Sequence, residues 1–193
     1  MIKITMTKEV WGVLKNNYGL DETRSAICRT ILTQNNSVYA TDGRRAVKFQ
    51  MKEFSCSEPL KANSVYLLAS ETKAKASELF VAVYFELVPD LTPPDFSCVW
   101  INGERKEVLA VDVKKDSHFL TLAIIKIFDK TKRAINYDFI DALLYRQKNS
   151  SCLNLKVFVK EGEEQDGDKA LLITSADIPF EAMLLPIIMD GVK

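Results

Sequence analysis

Residues 38–47 read Val38-Tyr39-Ala40-Thr41-Asp42-Gly43-Arg44-Arg45-Ala46-Val47, and their pattern decides how the first half of the chain folds. Asp42-Gly43 between β-forming residues is a type I′ hairpin signal, because both positions tolerate positive φ. The flanking runs Ser37 to Thr41 and Arg44 to Met51 are therefore predicted as paired antiparallel strands. Upstream, Asn35-Asn36 offers a second turn of positive φ and joins a strand over Ala26 to Gln34. Before the break at Gly19, Ile2 to Met6 alternates as a strand, and Thr7 supplies an N-cap hydroxyl to a helix over Lys8 to Asn17. Val10, Trp11, Leu14 and Tyr18 recur at helical spacing and form its buried stripe. The order is strand, helix, three antiparallel strands.

The same order recurs downstream. Ser64 to Ala69 reads as a strand, Ser70 as the cap of a short helix reaching Leu79, and Val81 to Val88, Cys98 to Asn102 and Val108 to Lys114 as strands, with Asn102-Gly103 another hairpin turn. Pro89, Pro93 and Pro94 lack the N–H a ladder needs and mark an exposed loop. A third unit follows, in which Phe119 to Phe128 suits a strand or a short helix. Arg133 to Ile135 reads as a strand, and Asn136 caps a helix over Tyr137 to Gln147. Its residues Phe139, Ile140, Leu143 and Leu144 face inward, and Asp138, Asp141 and Arg146 outward. Leu153, Leu155, Val157 and Val159 alternate with polar or outward residues at period two. Strands over Ala170 to Thr174 and Glu181 to Ile188 close the chain. The expected class is α+β, built from repeated βαβββ units, with one domain over 1–115 and a shortened second over 116–193.

Composition narrows function. The chain has 193 residues, and 26 Lys and Arg against 26 Asp and Glu leave no net charge to draw it to nucleic acid or an anionic membrane. No signal-peptide core and no apolar run of bilayer length is present, so a cytoplasmic location is expected. Cys28, Cys56, Cys98 and Cys152 form no CxxC pair and His118 is the single histidine, which leaves neither a zinc set nor a Cys-His nucleophile. Nucleotide-binding glycine loops, the GxSxG elbow and HExxH are missing, and no cofactor is implied. A non-enzyme is expected. The acidic run Glu161-Gly162-Glu163-Glu164-Gln165-Asp166-Gly167-Asp168 is the one metal-like segment, yet it lacks the calcium-loop spacing and reads as a solvated hairpin loop.

The segment Val38 to Val47 resembles the ATDGHRL stretch in the second domain of bacterial sliding clamps, the processivity factor of the replicative polymerase. Thr23-Arg24 followed by Ile27 to Leu32 is similar to the arginine-containing lead-in of that family. Ala134-Ile135-Asn136-Tyr137-Asp138-Phe139-Ile140-Asp141-Ala142-Leu143 resembles its NxxYLLDAL phrase, and Ala182-Met183-Leu184-Leu185-Pro186-Ile187-Ile188 its closing strand with an MPM-like end. The resemblance implies a DNA-clamp-like fold, antiparallel sheets outside and helices on the inner face of a ring, assembled as a homo-oligomer of two or three chains. It also implies a hydrophobic groove for peptides of polymerases and other DNA-handling proteins. By matched position Thr41, Gly43, Arg44, Arg45 and Ala46 form one side and Leu185, Pro186 and Ile187 the other. Apolar walls would supply affinity and arginine donors would hold a carbonyl or carboxylate. Arg44 stands where the family has histidine, Ala46 replaces a larger aliphatic residue, and the family has three similar domains where this chain has room for two.

The resemblance also implies duplex DNA as a partner, faced by Lys8, Lys15, Arg24, Lys73, Lys75, Arg146 and Lys148. On the predicted helices the basic excess is small: Lys8 and Lys15 outnumber Glu9, but Glu71 and Glu78 balance Lys73 and Lys75, and Asp138 and Asp141 balance Arg146 and Lys148. Phosphate attraction scales with the cations presented, so sliding contacts need several subunits around the duplex. The alternative is a monomeric interaction module that keeps the groove and binds no DNA.

Overall fold

The computed structural model describes residues 1–73, 75, 77–96, 100, 103–113, 117–144, 153–164 and 169–187. Two compact units, Met1–Phe96 and Ser97–Lys193, divide the chain.

In the first unit, β1 (Ile2–Thr7) runs directly into α1 (Lys8–Asn17), and the Thr7 side chain accepts a hydrogen bond from the Val10 N–H at 3.3 Å, as the cap signal predicts. The strands β2 (Thr30–Gln34), β3 (Ser37–Thr41), β4 (Arg45–Gln50), β5 (Ser55–Cys56), β6 (Ser64–Glu71) and β7 (Phe80–Val88) follow, with a 3₁₀ turn at Met51–Glu53. They pair antiparallel in the order β5-β1-β7-β6-β2-β3-β4. Helix α1 packs on β1, β3, β4 and β7 and buries Val10, Trp11, Val13 and Leu14, with the Trp11 ring edge-on to Phe85.

The two turn signals exchange roles. Asn35 and Asn36 both take positive φ, 48° and 56°, and close a two-residue loop between Gln34 and Ser37. At Asp42-Gly43 only Gly43 is left-handed, at φ 89°, and the last pair is Thr41 with Ala46, so this hairpin has a longer loop than a type I′ turn. The Asp42 carboxylate, accepting from the Arg44 and Arg45 N–H groups, favours that wider loop. The predicted strand over Ala26 to Gln34 starts only at Thr30.

No helix forms over Ser70 to Leu79 among the described residues. β6 continues through a bulge between Leu68 and Ser70, and Ser70 and Glu71 pair with Tyr84 and Val83. A ladder partner on β7 overrides the capping tendency of a serine, so among the described residues the second βαβββ repeat shows no helix. Of the predicted strand Cys98 to Asn102 only Trp100 is described.

The second unit contains β8 (Arg105–Val113), α2 (Ser117–Thr131), α3 (Tyr137–Leu143), β9 (Leu153–Lys160), β10 (Leu171–Ser175) and β11 (Phe180–Leu184). Its strands pair antiparallel in the order β11-β10-β9-β8. β8, grouped by the sequence with residues 1–115, pairs along its length with β9, from Arg105 opposite Lys160 to Val113 opposite Leu153. The ambiguous run Phe119 to Phe128 is helical, within α2, which packs on β8 and α3. Arg133 to Ile135 is not a strand; it lies in the connection between α2 and α3. Asn136 caps α3 by accepting from the Asp138 N–H at 2.9 Å, and Phe139, Ile140 and Leu143 are buried. The period-two pattern of β9 holds, with Leu153, Leu155, Val157 and Val159 buried.

Candidate functional site

The hairpin between β3 and β4 is built around Thr41 and Asp42. The Thr41 hydroxyl donates to the Arg45 carbonyl at 2.6 Å and accepts from the Gly43 N–H at 2.9 Å. Asp42 Oδ1 accepts from the backbone N–H groups of Arg44 and Arg45 at 2.9 and 3.0 Å. Its Oδ2 lies 3.0 Å from Arg45 Nε, and Arg45 Nη2 donates to the Asn16 carbonyl at 3.0 Å. Arg45 is thereby held flat against the end of α1, and its largely buried guanidinium is a brace of the hairpin. Ala46 is buried, whereas Arg44 is exposed on the loop.

Arg24 is exposed and donates from Nη1 to the Asp42 carbonyl at 3.0 Å. Its guanidinium fills the space where a Cβ on Gly43 would stand, with Nη2 2.2 Å from that position. Arg24, which the resemblance places among the DNA-facing residues, thus also touches the hairpin. The turn before it is set by Asp21, which accepts from the Thr23 N–H and hydroxyl at 3.0 and 2.7 Å. Those bonds hold the Asp21 carboxyl below its ordinary value. The residues drawn together are thus Arg24, Thr41, Asp42, Gly43, Arg44 and Arg45, a rigid loop presenting two guanidinium groups, Arg24 and Arg44. Only the sequence proximity of Thr23-Arg24 to the first meander strand hinted that Arg24 would reach it.

In the second unit, Leu185, Pro186 and Ile187 follow β11 as extended chain, with Leu185 and Ile187 exposed. The Ile187 N–H donates to the Ala134 carbonyl at 2.7 Å, which ties the strip to the connection before α3. These side chains can offer an apolar wall but no charge.

The remaining basic residues are scattered. Lys8 Nζ donates to the Lys75 carbonyl, and Lys15 pairs with Glu71 while lying 5.9 Å from the centre of the Trp11 ring. Glu71 also accepts from Trp11 Nε1 at 2.7 Å, so it ties α1 to the end of β6, a role no sequence signal marked. Lys73 and Lys75 lie in the loop after β6, not on a helix face. Arg146 and Lys148 lie outside the described residues, as do Gln165 to Asp168 of the acidic run. Glu163 and Glu164 of that run pair with Lys160 and Lys106 at 3.3 and 3.0 Å. Among the described residues no group of three or more His, Cys, Asp or Glu is placed to hold a metal. No helix among them is long and apolar enough to cross a membrane.

A second arginine, Arg133, is a buried donor that no local sequence signal marks. Arg133 is fully buried and donates to the Ala170 carbonyl from Nη1 at 3.1 Å and to the Glu163 carbonyl from Nη2 at 2.5 Å. It pins the connection between α2 and α3 to the strand-flanking chain around β9 and β10.

Comparison with protein-family models and with curated proteins finds no match. Comparison with solved structures finds bacterial sliding clamps. The DNA polymerase sliding clamp of Pseudomonas aeruginosa superposes with a TM-score of 0.51 at 11% identity, over 97% of this chain and 66% of that one. The beta sliding clamp of C. crescentus gives 0.52 at 10% identity, over 97% and 65%. The chain spans slightly under two thirds of the length of these clamps, and what it shares with them is the fold.

Proposed function

From a fold in common with the bacterial sliding clamps, we propose that this chain is a non-catalytic docking protein that captures short peptides of polymerases or other DNA-handling proteins. The observation that supports the reading is the braced hairpin at Thr41 to Arg45, on which Arg24 and Arg44 are both exposed and would offer guanidinium donors to a ligand backbone or carboxylate. Such donors act best when they need no reordering on binding. Duplex DNA enters the proposal only through a closed oligomer, because Lys8 and Lys15 already have partners within the chain and Lys73 and Lys75 sit on a loop.

The test is fluorescence polarisation with a labelled peptide of a replicative polymerase that carries two or three large apolar residues. Saturable binding that falls at least tenfold in an Arg24→Ala, Arg44→Ala double variant is expected, since each charge-assisted bond contributes on the order of 1 kcal/mol. Binding indifferent to both arginines would overturn the assignment. Retention on a circular duplex that is lost when the circle is cut tests encirclement, and its absence leaves the monomeric interaction module.

A further inference from the structure

Strand β3 is buried on both faces. Helix α1 covers one of them: the Trp11 ring meets Phe85 edge-on, and the ladder register carries that face from Phe85 and Leu87 through Tyr66, Ile31 and Thr33 to Val38. Leu32 and Tyr39, paired with each other, therefore look to the opposite side. Both are buried there, and the cover over Tyr39 is Phe96. The Phe96 ring stacks on that of Tyr39 with centroids 4.6 Å apart and planes 3° from parallel. Its N–H donates to Gln34 Oε1 at 3.2 Å.

The strap that delivers Phe96, residues 89–96, belongs to no strand. Pro89, Pro93 and Pro94 have no N–H to give, and the Leu91 N–H reaches the Val88 carbonyl only at 3.4 Å. Both this bond and the one to Gln34 lie at or beyond the long end of the ordinary range. Lifting the strap therefore breaks no strand pairing, and it uncovers the Tyr39 ring. That ring stands on the same face of β3 as Thr41, about 7 Å along the strand. What the strap hides is thus an aromatic wall next to the hairpin that carries Arg24 and Arg44.

We propose that Phe96 stands in for an aromatic side chain of the captured peptide, and that the strap shields the seat on Tyr39 until that side chain displaces it. This role rests on peptide capture by the hairpin and specifies the ligand: a segment with an aromatic residue close to the group that the guanidiniums hold. The seat states the preference through its present occupant, a flat ring with a backbone N–H placed for Gln34. Parallel aromatic rings attract beyond the area they bury. The strap competes as a ligand within the same chain, at high effective concentration. The apparent affinity for a peptide is then reduced by the fraction of chains in which the strap is lifted.

Fluorescence polarisation tests it with two labelled polymerase peptides, one containing a phenylalanine and one with that residue replaced by alanine. Phe96→Ala should bind the first peptide at least about tenfold more tightly than the wild-type chain does. For the second peptide the gain should be less than about twofold, because the ring that profits from the vacated seat is missing. Phe96→Leu keeps the burial and loses the ring pair, and its gain should fall between. Unchanged far-ultraviolet circular dichroism shows that both variants fold. A synthetic peptide of residues 89–96 should compete with the first peptide for Phe96→Ala. No gain in either variant, or an equal gain for both peptides, would overturn the strap's role while arginine-dependent capture stands. Binding that ignores Arg24 and Arg44 in the wild-type chain and in Phe96→Ala alike would overturn the capture itself, and the strap's role with it.

Discussion

Gly43→Ala tests whether the hairpin and Arg24 form one unit. Gly43 has φ 89°, a left-handed conformation that costs an L-residue about 1 kcal/mol. A Cβ there would also lie 2.2, 2.7 and 2.8 Å from Arg24 Nη2, Nη1 and Cζ. The backbone of the hairpin is fixed by Thr41 and Asp42, so the flexible arginine must withdraw and lose its 3.0 Å bond to the Asp42 carbonyl. Loss of a charged hydrogen bond at an exposed position adds on the order of 1 kcal/mol. The substitution should therefore cost about 2 kcal/mol in the wild-type background and about 1 kcal/mol with Arg24→Ala already present, a coupling of about 1 kcal/mol. Urea unfolding followed by fluorescence measures this for the first unit alone if Trp100→Phe leaves Trp11 as the reporter, since the chain has two tryptophans. An equal cost in both backgrounds would refute the packing of Arg24 on Gly43.

Arg133→Ala should destabilise the second unit by about 3 kcal/mol, because it leaves two carbonyls without their buried donor and a cavity in place of the side chain; chemical denaturation measures this. Glu71→Ala should cost more than Lys15→Ala, about 1–2 kcal/mol against less than about 1, since Glu71 also holds the Trp11 indole while the lysine pair is half exposed. Thr23→Val removes one of the bonds that hold the Asp21 carboxyl low, so its titration by NMR should move up toward 3.8. With the bonds intact, the depressed carboxyl contributes stability above that ordinary value, and the contribution fades as pH falls through the folded-state titration. Burial raises the Tyr18 phenol above 10.0, so its ionisation should trail that of exposed tyrosines, and the stability it adds should fall as pH climbs past 10.0.

Much of the candidate site was legible in the residues, because hairpins are local. Asp42, Gly43 and the β-formers around them lie within ten positions, and their turn chemistry needs nothing distant. The brace by Arg45 was legible only as an arginine at a matched position; that its guanidinium reaches Asn16 depends on where α1 ends. The contact of Arg24 with the hairpin was not legible for a related reason. An exposed cation has no periodicity to reveal its partner, and its position against Gly43 follows from the loop that returns the chain to β2.

The sequence by itself determined the elements whose signals are short-ranged: β1 and its capped helix α1, the meander β2 to β4, the capped α3, and the alternating β9. Each rests on a cap, a turn or a period readable within a few residues. Tertiary structure alone decided the rest. Ser70 and Glu71 became strand because Tyr84 and Val83 stand opposite to complete the ladder. Phe119 to Phe128 became helix because Leu120, Ala123 and Ile127 form one buried face against β8 and α3, which a mostly apolar run does not disclose. Arg133 became a core residue because the carbonyls of Glu163 and Ala170 converge on it from about thirty or more positions away. Pairing and burial depend on residues distant in the chain, and no local pattern encodes the arrival of those partners.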